Sequence, residues 1–379
     1  MVGVITRRTS RLISGSPVPQ HVAACTEMYA RSRPNGGVEV RRVVDPVQLV
    51  RHDPLVTPGG YSRAFERDTE WGIPARKVAS IARGRVFGPF AAVMTSDDTL
   101  LWDMSPAHVP EASQHPIYRW PVLPRTHDVD GTVGVLAARG AGNYFHFLLD
   151  IAPRVELIRR AMPLSDIDRL FIDHRQGWQS EILEAAGVDL GRTLSPGAHP
   201  HVRAERLVVP SLPGSGPRMN PRWALDAVRS WLLPEQPRER GLRIYVSRGT
   251  DPLTRRVVNE SEVMAALDCH GFVKVRNEDR SVREQAEMFA SAEIVVGAHG
   301  AGLANVAFCS PGATVIELVS PRWLNTTYWR LCSQLDGVDH RCLVGRGRAP
   351  RDLRQYDVNA DIEVDVRALC DTLRAVNGS

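Results

Sequence analysis

The sequence has almost no lysine. Of its 47 basic residues only Lys77 and Lys274 are lysines; the rest are arginine. With 43 acidic residues the formal charge is +4 over 379 residues. That balance leaves no extended polyanion-binding surface, so no nucleic-acid partner is expected. No run of about 18 apolar residues occurs, so no transmembrane segment is expected. The residues before Ser16 carry Arg7, Arg8 and Arg11 but lack the apolar stretch of a secretory leader. The cysteines, Cys25, Cys269, Cys309, Cys332, Cys342 and Cys370, show no C-x-x-C spacing and no zinc-like cluster with histidine. They read as reduced core residues of a metal-free cytoplasmic protein. The G-x-S-x-G nucleophile elbow is missing, which removes a large hydrolase class.

What is present is an apolar content of 43%, enough for ordinary cores, over a length that suggests two domains. Residues 1–36 read as a loosely held lead-in. Residues 37–215 follow as a first α/β domain, with strands expected at Val38–Val44, Arg85–Phe90, Ala92–Thr95, Leu100–Met104 and Val133–Ala137. A helix over about 143–161 then begins an alternation of strand and helix. Residues 216–240, rich in proline, read as a linker with a helix at about 222–232. Residues 241–379 give β-α-β-α-β-α-β-α-β, a Rossmann-like half. Asn259 with Glu262, and Ser281 with Glu284, have the spacing of helix-opening capping boxes. The last helix, about 362–376, is expected to pack back across both domains.

The sharpest motif is Gly297-Ala-His-Gly-Ala-Gly-Leu303, after a buried strand and before a helix expected to start at Leu303. Small residues let backbone approach a ligand. The unpaired N–H groups around Gly300, Ala301, Gly302 and Leu303 suit a diphosphate, with His299 at the mouth. The loop lacks the G-x-G-x-x-G order of a dinucleotide fold. Ser247 and Arg248 end the first strand of the same domain, where a guanidinium fork can clamp phosphate. Arg255 and Arg256 follow; for them a ligand role and a structural ion pair weigh equally. Glu317, at the end of the next strand, suits the two hydroxyls of a ribose.

In the first half, Asn143, His146, Asp150 and Arg154 fall on one stripe of an otherwise apolar helix. His146 and Asp150, four apart, suit deprotonation of a hydroxyl. Pro153 cannot donate to Leu149, so the helix should loosen near Asp150. Asp128-Val-Asp130 has a metal-holding pattern but reads as a turn. Trp71, Trp120 and Tyr144 suit sugar stacking as well as core packing.

Taken in order, Asn143-Tyr-Phe-His-Phe-x-x-Asp150 with Pro153-Arg154, Tyr245-x-Ser-Arg248, Arg256-x-x-Asn-Glu260, Ser281-x-x-Glu-Gln285, Gly297-Ala-His-Gly-Ala-Gly-Leu303 and Val315-Ile-Glu-Leu318 resemble glycosyltransferase family 61. The motifs span roughly residues 130–345. The resemblance implies a GT-B fold, two Rossmann-like domains facing a cleft. It implies inverting transfer from a nucleotide sugar, usually a UDP-sugar, to a glycan hydroxyl, with no cofactor and no obligatory metal. A bacterial cytoplasmic form acting in capsular polysaccharide synthesis is the expected member. On this reading Arg248, His299 and the glycine loop hold the donor, Glu317 the ribose, and His146 with Asp150 activates the acceptor. Asn143, Arg154, Ser247, Arg256 and Glu284 are further site candidates. A nucleotide-binding protein without transfer, or a Rossmann oxidoreductase or methyltransferase, are the alternatives.

Overall fold

Arg206–Pro210 and its neighbours show why the first unit is not a plain Rossmann domain. In the computed structural model, which describes residues 15–50, 55–56, 72–105, 107, 109–214, 219–234, 239–249, 255–348 and 356–377, the chain is α/β and divides into two units. Met1–Val47 with Pro74–Pro217 form the first, and Gln48–Ile73 with Arg218–Ser379 the second. This redraws the expected boundary. The chain visits the second unit early, and the 222–232 helix belongs to that unit rather than to a linker. Its Arg229 donates to the carbonyls of Ala307 (2.7 Å) and Cys309 (3.0 Å). Trp71, Pro217, Pro237 and the first fourteen residues of the lead-in lie outside the described residues.

The strands up to residue 101 are β1 (His21–Ala23), β2 (Val38–Val44), β3 (Val47–Gln48), β4 (Leu55–Val56), β5 (Gly72–Ile73), β6 (Arg76–Ala82), β7 (Arg85–Phe87), β8 (Ala92–Met94) and β9 (Thr99–Leu101). β10 (His127–Val135), β11 (Arg169–Phe171), β12 (Thr193–Leu194) and β13 (His201–Pro210) follow. β13, β10, β11 and β12 are parallel neighbours, but β13 also pairs antiparallel with β6 and β7. β7, β8 and β9 follow one another antiparallel through tight turns, with Ala91 and Asp98 in the left-handed region, while β6 and β7 run in the same direction along β13 and are separated by a break at Arg83 and Gly84. A tight turn permits only antiparallel pairing, whereas parallel pairing needs a long crossover. The first unit is therefore a mixed sheet. Alternating Val133, Val135, Leu207 and Val209 fill its core with Ile81, Val86 and Val93.

Two local expectations change here. Trp102–Met104 is a 3₁₀ turn rather than the end of β9. Asp128-Val-Asp130 is not a turn but part of β10, whose register slips between Val129 and Thr132, with Gly131 at φ 102°. Asp128 lies 3.6 Å from Arg203.

The second unit holds β14 (Leu242–Val246), β15 (Phe272–Val275), β16 (Ala292–Ala298), β17 (Thr314–Val319) and β18 (Asp339–Val344). Their order is β15-β14-β16-β17-β18, with β4 at the edge, all parallel. By sequence this is 2-1-3-4-5, a doubly wound order whose switch point lies between β14 and β16. Ligands of such sheets sit beyond the strand C-termini at that point. The last helix is Val366–Asn377. Leu369 and Leu373 pack with Val263, Leu267 and Ile316 in the second unit's own core. Ser281 and Glu284 form the expected capping box. Asn259 does not cap its helix, because its amide is committed to both backbone groups of Val364, at 2.9 Å each. Among the described residues no helix is long and apolar enough to cross a membrane.

Candidate functional site

The apolar helix of the first unit is built in three pieces. Tyr144–His146 makes one α-helical turn, Phe147–Ile151 a π-helical turn, and Arg154–Ala161 a regular helix. The widening follows from Pro153, which has no N–H for the carbonyl of Leu149. Ala152 N reaches back to Phe147 O instead, at 2.8 Å. Phe147, Leu148, Leu149 and Ile151 are fully buried and anchor this turn. His146 and Asp150 remain on its polar side, with Nδ1 to Oδ2 at 2.7 Å. The His146 side chain is 23% exposed and that of Asp150 8%. A histidine at an opening, oriented by a nearly buried carboxylate, is suited to accept a proton from a hydroxyl.

The loop before His146 is held closely. Gly140 has φ 93°, and a Cβ there would lie 3.0 Å from the His146 side chain. Gln179 donates to Ala141 O at 2.8 Å. Asn143 is the helix cap, accepting from His146 N at 3.3 Å. Tyr144 packs edge-on against Trp178 at 5.3 Å. Trp120 is 48% exposed and packs edge-on against Phe87.

Arg154 leaves the stripe. It is buried, and its guanidinium donates to the carbonyls of Leu136 (2.7 Å), Ala137 (3.0 Å) and Pro210 (2.6 Å). It braces the C-terminal ends of β10 and β13. Burial pushes its pKa down, to about 9.

In the second unit, the glycine motif sits at the β14–β16 switch point. His299 continues from β16, and Ala301–Phe308 is a 3₁₀ helix. It starts two residues before Leu303 and is not α-helical. The carbonyls of His299, Gly300 and Gly302 each accept a side-chain hydrogen bond. Arg248 Nη1 (3.1 Å) and Arg255 Nε (2.8 Å) both donate to His299 O. The Tyr328 hydroxyl donates to Gly300 O, and Asn277 Nδ2 to Gly302 O at 2.9 Å. Gln285 holds Asn277 O and accepts from Asn305. By contrast, the N–H groups of Gly300, Ala301 and Gly302 meet no acceptor among the described residues. Leu303 is not a fourth free donor, because its N–H bonds to Gly300 O at 3.0 Å. A Cβ on Gly300 would lie 1.4 Å from Arg248 Nη1, so glycine lets the arginine lie against the loop. Three N–H groups in one turn beside two guanidinium groups can hold a polyanion such as a diphosphate.

Glu317 is corrected. It is 0% exposed, and both its oxygens are engaged, Oε1 by His299 Nδ1 and Oε2 by His340 Nε2 at 2.8 Å. It has no oxygen to offer a ribose. Burial opposes its charge, but the two imidazoles outweigh burial and hold its pKa down, at about 2.

Other candidates are structural. Ser247 Oγ donates to Glu260 Oε1 at 2.7 Å. Arg256 pairs with Asp361 through its backbone N–H and its side chain. Glu284 is consumed by its capping box. His340, Tyr328 and Asn277 were not foreseen. Their signal is register: Gly297 and Cys342 both pair with Glu317, and the period of two brings His299 and His340 onto the Glu317 face. No group of three or more His, Cys, Asp or Glu able to hold a metal ion occurs among the described residues.

Residues 144–316 match the family model described as Glycosyltransferase 61. No curated protein gives a match to the chain.

Proposed function

The chain belongs, through residues 144–316, to glycosyltransferase family 61, and from that premise we propose that it moves a sugar from a nucleoside-diphosphate donor, a UDP-sugar first, to a glycan hydroxyl with inversion. The setting we propose is capsular or other cell-surface polysaccharide assembly in a bacterial cytoplasm, within a GT-B arrangement. The observation that carries the donor site is the set of N–H groups at Gly300, Ala301 and Gly302, which meet no acceptor among the described residues, beside Arg248 and Arg255.

In this reading an acceptor O–H gives its proton to His146, oriented by Asp150, as its oxygen attacks the anomeric carbon. The bond from that carbon to the diphosphate oxygen breaks, and the electron pair leaves with the diphosphate. Charge develops on the departing group, so fixed donors at Gly300–Gly302 and Arg248 lower the barrier. The positive charge comes from the chain's own arginines, so a divalent ion is not required for donor binding.

Calorimetric titration with UDP, GDP, CDP, NAD and S-adenosylmethionine, with and without EDTA, tests this. One nucleoside diphosphate should bind, EDTA should not abolish it, and Arg248→Ala should weaken it by roughly 10- to 100-fold. Preference for NAD or S-adenosylmethionine, or unchanged affinity in Arg248→Ala, would reject the donor site. Binding without transfer or hydrolysis across a broad panel of donor sugars would instead leave a nucleotide-binding protein.

A further inference from the structure

The trio His299, Glu317 and His340 needs an explanation that phosphate binding alone does not supply. A fully buried carboxylate between parallel strands is costly unless its oxygens are satisfied. Here both are satisfied, and by side chains rather than by backbone. An ionised carboxylate only accepts hydrogen bonds, so each imidazole must point an N–H at it. That requirement decides two tautomers. His340 carries its hydrogen on Nε2, and its Nδ1 is buried without a partner. His299 carries its hydrogen on Nδ1, so its Nε2 is the ring nitrogen of the trio left for a ligand. The same residue begins the turn whose N–H groups at Gly300, Ala301 and Gly302 meet no acceptor among the described residues.

Resting on the nucleotide-sugar reading above, we propose that Glu317, braced by His340, is a positioning residue that holds the His299 ring for the donor diphosphate. A phosphate oxygen accepts, so Nε2 must also carry a hydrogen when the donor is bound. Glu317 on one ring nitrogen then fixes the other, Nε2, toward the phosphate. The groups around His299 are Glu317 and His340 from β17 and β18, the Tyr328 ring at 5.2 Å, and Arg248 and Arg255 on its carbonyl. Burial pushes the thiols of Cys332 and Cys342 up, and the nearby Glu317 charge adds to it. The cost of burying Glu317 is thus tied to a ring that reaches the ligand.

The test is a double-mutant cycle on the whole chain, reading affinity for whichever of UDP, GDP and CDP binds the wild type. Glu317→Gln keeps shape and removes charge; it should weaken binding by about ten-fold. In a His299→Gln background the same change should cost less than about two-fold, because the carboxylate acts only through that ring. His340→Gln should show a smaller loss with the same dependence on His299, and it stands in if Glu317→Gln does not fold. Equal losses in both backgrounds would overturn the proposal, since a purely structural role or a direct ribose contact behaves that way. Nitrogen-15 NMR of the wild-type histidine rings, with His299 identified by its loss in His299→Gln, needs no altered carboxylate. Protonated Nδ1 is expected, and a bare Nδ1 would overturn the proposal. A wild type that binds no nucleoside diphosphate sinks the donor reading itself. A wild type that binds, and is weakened by Arg248→Ala but not by Glu317→Gln, sinks only the positioning role.

Discussion

Each unit buries one charged side chain beside the residues of interest, and the two are partnered in opposite ways. Arg154 in the first unit gives its hydrogen bonds to three backbone carbonyls. Glu317 in the second accepts from two histidines, one of which reaches the glycine loop. Backbone partners cannot titrate or move independently of the strands that carry them, so Arg154 is a brace. Side-chain partners can move independently of the strands, so Glu317 is tied to a ring beside the glycine loop. A buried charge is therefore informative about function through its partners, not through its burial.

The comparison yields predictions of decreasing size. His146→Ala should lower turnover by roughly 10²- to 10⁴-fold while leaving nucleoside diphosphate affinity unchanged. Parallel kinetics and calorimetry check this, and a matching loss of affinity would break the division of labour between the units. Arg154→Met should cost about 3 kcal/mol of stability, because three buried carbonyls lose their donor. Urea unfolding reads it, and a neutral result would mean that Arg154 is no brace.

Acid should act on the units unequally. His115 and His201, both in the first unit, are held neutral by burial, with pKa values lowered to about 4. Their contribution is full above about 6.5 and is lost as pH falls toward 4, at about 2 kcal/mol each by pH 5. Glu317 is shifted the other way for an acid. Its contribution is present above 4.5 and lost only as pH falls toward about 2. Hydrogen exchange at pH 7 and pH 5 should show the strands around Phe87 and His201 loosening first. Equal loosening around β16 and β17 would contradict this.

The smallest effect should come from Gly300→Ala. The atoms nearest the new methyl are the far end of Arg248, so folding should survive while diphosphate affinity falls by roughly ten-fold. Retained affinity would show that Arg248 need not lie against the loop.

Much of the second unit was legible because its strands are continuous apolar runs and its helices open on local signals. Val282–Ala290 starts where Ser281 and Glu284 place it. The loosened turn at Asp150 followed from Pro153 alone. The Asn259 cap failed because a contact 105 residues away outcompeted a local one. The ribose role of Glu317 failed for a related reason. Glu317 lies inside β17 rather than at its end, and a place in one strand does not reveal which neighbouring strand supplies partners to its side chain.

The sequence by itself determined the local features: periodicity, a proline gap in a helix, a capping box, and a glycine loop after a buried strand. These depend on residues within about one turn of each other, where backbone geometry leaves few choices. Only the tertiary structure decided that β13 carries parallel strands on one edge and antiparallel ones on the other. It alone put Arg154 under three carbonyls and joined His299, Glu317 and His340. Strand order and register bring together side chains far apart in the chain, and no local pattern encodes which ones will meet.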